Sequence, residues 1–207
     1  MGGLAEAILE KALRALESAD LALAESVRTD DLAIDQVDVD IDSAVLHLLA
    51  LQAPVAEALR RVTASKTIAI YLERVGDLSR NLAGCAGRLA RSQAVPAPAR
   101  ILELGGLVRA QLRGALDAFA NQDSEEARRV LERDDEVDEL QDELVREQIA
   151  AVASNPELAA ERVDLILIAE HLERVGDHAT NIAEDVILIV EAENVKHREK
   201  LRGQTSP

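Results

Sequence analysis

This 207-residue chain contains itself twice, and that repeat limits its folds more than any other feature. Leu72-Glu73-Arg74-Val75-Gly76-Asp77 recurs as Leu172-Glu173-Arg174-Val175-Gly176-Asp177, and Asn81 and Ala83 are matched by Asn181 and Ala183, so that eight of thirteen positions agree. Upstream the correspondence continues at an offset near 103, pairing Asp20 with Asp123, Asp31 with Asp134 and Ile34-Asp35 with Val137-Asp138, while Pro54 meets Pro156 at offset 102. Self-similarity at a fixed period marks one supersecondary unit used twice. The expected division is 1–95 and 96–207, the second unit ending in a polar tail.

Punctuation sets the helices inside each unit, because Pro belongs in the first turn of a helix and Asp or Ser at its N-cap. It predicts helices over 4–18, 21–51 and 54–91 in the first unit, a linker with Pro96 and Pro98, and helices over 98–121, 124–153 and 156–194 in the second. Asp123-Ser124-Glu125-Glu126 is a good helix start, with carboxylates where the helix dipole favours them. Gly105-Gly106 is a weak point in the fourth helix. In the sixth, Leu172, Val175, Ala179, Ile182, Ala183, Val186 and Val190 recur at spacings of three or four as one apolar stripe. Upstream of it, Val163 and Leu165 to Ala169 are apolar all round, which predicts burial on several sides. The expected fold is all-α, six helices in two tandem, pseudo-symmetric three-helix bundles.

Composition narrows the function. Aromatics are 1% of the chain, so the core is aliphatic and base stacking has only Tyr71 and Phe119 to use. A net charge of −16 opposes nucleic acid and anionic membrane surfaces. No apolar run approaches the length of a bilayer-spanning helix. The N-terminus lacks the basic and apolar regions of an export signal, and one cysteine, Cys85, makes no internal disulfide, so a reducing cytoplasm is expected. Cys85 reads as a packed small residue. There is no Gly-rich phosphate loop, nucleophile elbow or HExxH.

The chemistry lies in paired carboxylates. At 100° per residue, Glu173, Asp177 and Asn181 fall roughly 130–210° from the apolar stripe of the sixth helix, on its outward face. Asp31 and Asp35 occupy one flank of the second helix, roughly 95–135° from its stripe of Ile34, Val37, Ile41 and Leu48. Counting from a turn near Ala53, Asp35 and Asp31 lie 18 and 22 residues before it, and Glu73 and Asp77 lie 20 and 24 after. About Asn155 the same holds, with Asp138 and Asp134 17 and 21 before and Glu173 and Asp177 18 and 22 after. Neighbouring helices run antiparallel, so each set of four can converge on one surface patch. Such patches repel themselves, and a hard cation, Mg²⁺, Ca²⁺, Mn²⁺ or iron, would relieve them; zinc sites more often include His or Cys. The bland reading is a pair of solvated acidic faces, but duplication at matched levels favours two metal patches. His178 is either a further ligand or a solvated surface side chain. Gly76 and Gly176 mark either close helix packing or a role tied to the metal, since each costs about 1 kcal/mol relative to Ala.

The two LERVGD segments with their following Asn, together with Leu51-Gln52-Ala53-Pro54, Leu59-Arg60 and Lys66-Thr67, resemble the PhoU proteins over about residues 4–195. The resemblance implies tandem three-helix bundles carrying multinuclear clusters of Fe, Mn, Mg or Zn on Asp31/Asp35 with Glu73/Asp77, and on Asp134/Asp138 with Glu173/Asp177. It also implies a non-enzymatic, homodimeric negative regulator of phosphate uptake, which links the ATPase of a phosphate ABC transporter to a phosphate-sensing histidine kinase. A Glu often found three residues before the first ERxGD is Ile70 here, whereas Glu170 fills that place in the second unit. The first patch carries Leu78 and Arg80 where the second has His178 and Thr180, and Arg80 should weaken metal binding there. Rival readings are a helical scaffold or spectrin-like spacer, a metal store, and a carboxylate-bridged di-iron enzyme. The last of these normally needs inward Glu-x-x-His motifs that this sequence lacks.

Overall fold

The computed structural model describes residues 1–196, and among them only helices, turns and short connections occur. The helices are α1 (Gly2–Ser18), α2 (Leu21–Gln52), α3 (Ala56–Ser92), α4 (Ala99–Asn121), α5 (Ser124–Glu132), α6 (Asp134–Ser154) and α7 (Ala159–Glu191), with a 3-10 turn at Pro156–Leu158. The distal part of the expected polar tail lies outside the described residues.

The N-caps are where the Asp residues predict them. The Asp20 carboxylate accepts from the Leu23 N–H at 2.9 Å, and Asp123 accepts from Glu125 and Glu126 at 3.0 Å each. Five helices end in a left-handed residue that is not glycine: Ala19, Ala53, Gln93, Gln122 and Ala192. The α2–α3 reversal places both Ala53 and Ala56 in that region, so α3 starts two residues after Pro54 rather than at it.

The helix expected over 124–153 is two helices. At Arg133 the N–H turns to Val130 O at 3.3 Å, a three-residue closure, and α6 restarts on Asp134-Asp135-Glu136. Three carboxylates in succession favour the positive end of a new helix, which is the physical signal for a break there. Pro156 likewise opens a 3-10 turn, with the α-helix following at Ala159. Gly105-Gly106 does not interrupt α4.

α3 and α7 are the central helices. α3 packs on α1 and α2, α7 packs on α4, α5 and α6, and the most extensive contact in the molecule joins α3 to α7. The core is aliphatic, as the composition requires; Ile8, Leu9, Leu82, Leu104, Leu112, Leu172 and Ile182 are fully buried. Each such side chain stabilises the fold by about 1.5–3 kcal/mol relative to exposure. Cys85 is buried among them. Of the stripe expected on the second helix, only Ile34 is buried, and no residue in 35–63 is buried at all, because that hairpin extends past the helices that cover its base. In α7, Leu165, Ile168 and Ala169 are buried but Val163 and Leu167 stay exposed.

α2 crosses α3 at Gly76. A Cβ there would stand 2.9 Å from both Asp31 Oδ1 and Ile34 Cδ1. Close packing is therefore sufficient reason for this glycine. Gly106, in contrast, has nothing within 4 Å of a Cβ. Gly76→Ala should destabilise the protein by about 1 kcal/mol or more through overpacking, despite the better helix propensity of Ala. Gly106→Ala should stabilise it by about 0.5–1 kcal/mol. Urea unfolding midpoints of the two variants check the pair.

Candidate functional site

Each expected patch forms where two long helices run side by side, α2 with α3 and α6 with α7, but the two differ in their counter-charges. In the first unit Asp31 is not on the surface: it is 2% exposed, enclosed by the close crossing at Gly76. The Arg80 guanidinium lies between the helices, one arm on Asp31 and the other on Asp77 Oδ1 at 2.6 Å. One turn beyond the other end, Lys66 of α3 pairs with Asp38 at 3.4 Å and with Asp42. Two side-chain cations thus bracket the row, leaving Asp35 and Glu73 between them. Burial, followed by the neighbouring Asp77 carboxylate, raises the Glu73 carboxyl above its ordinary value.

The second unit has no cation at the two places that bracket the first. Thr180 stands where Arg80 does, and Ile166 where Lys66 does. Thr180 turns its hydroxyl to the Asp177 backbone carbonyl at 2.8 Å, and Asn181 donates to the same oxygen at 2.7 Å. The break at Arg133 makes Asp134 the first residue of α6, where it accepts from Gln111 Nε2 of α4 at 3.1 Å. Burial raises the Asp134 carboxyl, against that hydrogen bond, and the Asp177 charge adds to the rise. Asp138 is raised by burial and then by Asp134. The largest effect is on Glu173, pushed up to about 7 by burial first and then by Asp177, Asp138 and Glu170. All four expected carboxylates of this patch act on one another within one surface. Even so, among the described residues no three His, Cys, Asp or Glu side chains are already placed to hold one metal ion.

His178 is neither a patch residue nor a solvated one. It turns toward α3 and stacks on Tyr71, with ring centroids 5.7 Å apart and planes at 21°. Burial, then Arg174 and Arg74, lowers its basicity to about pH 4, and neither ring nitrogen meets a protein partner.

Sequence reasoning missed Gln111, which is 1% exposed, and Gln141, whose amide donates to Glu170 Oε1 at 2.8 Å. Their signal was a polar residue on a helix stripe that is otherwise apolar, as in Leu104, Val108, Gln111, Leu112 and Ala115.

Comparison with known proteins gives a consistent picture. The PhoU domain family matches residues 1–86 and again 101–186. A phosphate-specific transport system accessory protein PhoU homolog of Rhizobium meliloti is 39% identical over 187 residues, covering 90% of this chain and 79% of that protein. One from Caulobacter vibrioides is 36% identical, covering 89% and 80%. Among solved structures, PhoU from Pseudomonas aeruginosa superposes with a TM-score of 0.91 at 34% identity, covering 93% of each chain. The phosphate transport system regulatory protein PhoU from Streptococcus pneumoniae gives 0.87 at 29% identity, covering 94% of this chain and 92% of that one.

The raised Glu173 carboxyl has a pH signature. In the unfolded chain Glu173 ionises near 4.5, and in the folded chain at about 7. Between those values the folded state binds the extra proton, so stability falls as pH rises through the window and levels off above it. In chelator-treated protein the melting temperature should therefore fall from pH 4.5 toward pH 7, and Glu173→Gln should flatten that decline and leave the variant more stable than the parent at pH 8. Melting curves at fixed ionic strength across this range check it.

Proposed function

The chain belongs to the PhoU family, and from that premise we propose that it is a non-catalytic, metal-binding regulator of phosphate uptake. In this reading it works in the cytoplasm as a homodimer and docks on the ATPase of a phosphate ABC transporter and on a phosphate-sensing histidine kinase, restraining the starvation response when phosphate is plentiful. Its relatives are named as accessory proteins of the phosphate-specific transport system, and the S. pneumoniae structure as a regulatory protein of that system. Among the described residues no helix is long and apolar enough to cross a membrane, which suits attachment to a transporter through protein contacts. The α2–α3 tip exposes Leu46, Leu51 and Val55, an apolar surface of the kind at which partners dock.

The observation that carries the metal part is the second patch: four carboxylates act on one another there with no Lys or Arg in the places of Arg80 and Lys66. An all-oxygen donor set and the mutual repulsion of its four members suit a hard cation or ferric iron. A bound ion would add positive charge between the four carboxylates and tie α6 to α7. Asp134, Asp138, Glu173 and Asp177 would hold it once the exposed side chains rotate inward. The corresponding set, Asp31, Asp35, Glu73 and Asp77, already has Arg80 in that role, so metal at the first patch must displace a guanidinium.

Elemental analysis after dialysis against Fe, Mn, Mg or Zn should show occupancy that Glu173→Ala with Asp177→Ala reduces by the content of one patch. Arg80→Ala should raise occupancy at the other. A double variant with unchanged stoichiometry would show the assignment to be wrong. At a free-metal concentration of about 100 times Kd, binding to the folded state alone adds roughly 2.7 kcal/mol of stability.

For the regulatory role, a deletion strain grown in high phosphate should express starvation genes or take up phosphate without restraint. Transcript and uptake levels equal to the parent's, with no related protein compensating, would leave a scaffold or metal-storage role as the better account.

A further inference from the structure

On the face of α3 beyond the first patch, the chain reverses its overall charge. A groove of about 1070 Å³ runs between α2, α3 and α7, and four guanidiniums line it, those of Arg28, Arg80, Arg88 and Arg91, together with the imidazole of His171. In a chain of net charge −16 this concentration of arginine needs a reason. Pairing across helices accounts for part of it, Arg80 with Asp31 and Arg88 with Asp164, but leaves Arg28 without a structural task. At the matched places the second unit carries Leu131, Thr180, Leu188 and Glu191, so a bundle of this kind is built without them.

The floor of the groove is Gly84, exposed in the middle of α3. A Cβ at Gly84 would find only Arg88 Nη1, at 3.8 Å, so no neighbouring helix requires the glycine. It nevertheless costs the helix about 1 kcal/mol relative to Ala. Its matched residue is Glu184. A glycine that packing does not need, in a helix interior, opens the backbone to close approach from the groove.

The cations are arranged around that spot. Arg88 places Nε 2.9 Å and Nη2 2.5 Å from Asp164 Oδ1, which fixes the guanidinium plane and leaves Nη1 over Gly84. Arg80 lies one turn before Gly84 on the same helix. Arg28 reaches the groove from α2 and holds no ion pair among the described residues. Arg91 is tied only to Glu25, with both side chains more than half exposed, a pairing of little strength. From the α7 side comes His171, whose Nδ1 is buried without a partner.

We propose that this groove binds a phosphate-bearing small molecule, with the phosphoryl group seated over Gly84 between Arg28, Arg80 and Arg88. Planar guanidinium forks match phosphoryl oxygens, and every strong cation in the groove is Arg rather than Lys. The groove far exceeds the size of a phosphate ion, so the remainder of a phosphate ester, such as a nucleotide, has room along Leu32 and Leu167. Carboxylates farther than about 10 Å are screened at 0.1 M salt; those at contact, Asp31 and Asp77 on Arg80, Asp164 on Arg88 and Glu25 on Arg91, leave Arg28 as the cation without an ion pair among the described residues. The site needs no metal; it shares Arg80 with the first carboxylate patch and no residue with the second.

The test uses full-length, chelator-treated protein, so that no metal at the patches can capture phosphate. Equilibrium dialysis and thermal shift are run with inorganic phosphate, tripolyphosphate and ATP, with sulfate and a poly-glutamate peptide as controls. Saturable binding of at least one phosphate probe is expected. Arg28→Ala should weaken it at least about five-fold, and Gly84→Glu, which borrows the second unit's residue, should abolish it while the far-UV circular dichroism is unchanged. Gly84→Ala should bind more weakly yet melt higher, a combination that a purely structural glycine would not give. Preference for ATP or tripolyphosphate over free phosphate identifies an ester or oligophosphate as the ligand, and the reverse identifies the free ion. No binding of any phosphate probe, binding unchanged in both Arg28→Ala and Gly84→Glu, or binding of poly-glutamate alone would each overturn the proposal.

Discussion

The antiparallel seam between α3 and α7 is the contact on which the rest of the molecule depends. As α3 runs from Tyr71 to Arg88, its partners on α7 run backwards from His178 to Asp164. Because the LERVGD segments sit at the same place on both helices, this alignment brings Glu73 and Asp77 to the height of Asp177 and Glu173. The two carboxylate patches therefore lie at the same height, the first between α2 and α3 and the second between α6 and α7. Without aromatic bulk, aliphatic side chains fill the core on both sides of it, and Gly76 lets α2 approach α3 closely beside it.

The seam also gathers polar groups that an aliphatic core would not need. His178 lies in it with both ring nitrogens lacking a protein partner, a burden of about 1–3 kcal/mol for a buried unsatisfied group. Residues 192–196 turn back over it, so that Lys196 reaches Asp185 at 2.7 Å and the Tyr71 hydroxyl at 3.4 Å. A strap from the second unit is thereby pinned to the central helix of the first. Arg88 and Asp164 fasten the opposite end of the same seam.

Helix content, the two-fold repeat and the Asp caps were legible because they depend on local chemistry: periodicity, Pro and Asp positions, and identical hexapeptides. The level matching of the carboxylates was legible too, since antiparallel helices with short turns leave little freedom in register. What was not legible depended on distances between helices. Asp31 looked like a flank residue, and only the crossing at Gly76 buries it. His178 was read beside Asp177, but one residue is 100° of helix, enough to turn it into the seam. The break at Arg133 was written in Asp134-Asp135-Glu136, yet no Pro or Gly punctuates 124–153, so the stretch read as a single helix. Gln111 and Arg88 act on residues far away in sequence, and no local pattern points to such partners.

The α2–α3 hairpin has a mechanical consequence. Its outer part, residues 35–63, has no buried residue, while the shorter outer part of α6–α7, residues 149–163, is about half as long. From Ile34 to the turn, α2 extends roughly 27 Å as a stiff rod. A tilt of about 10° at the Gly76 crossing would carry the tip roughly 5 Å. Displacements too small to notice beside Arg80 are thus magnified at Leu46 and Leu51, so the first unit is built as a lever with its fulcrum at the charged crossing and its load point at the apolar end.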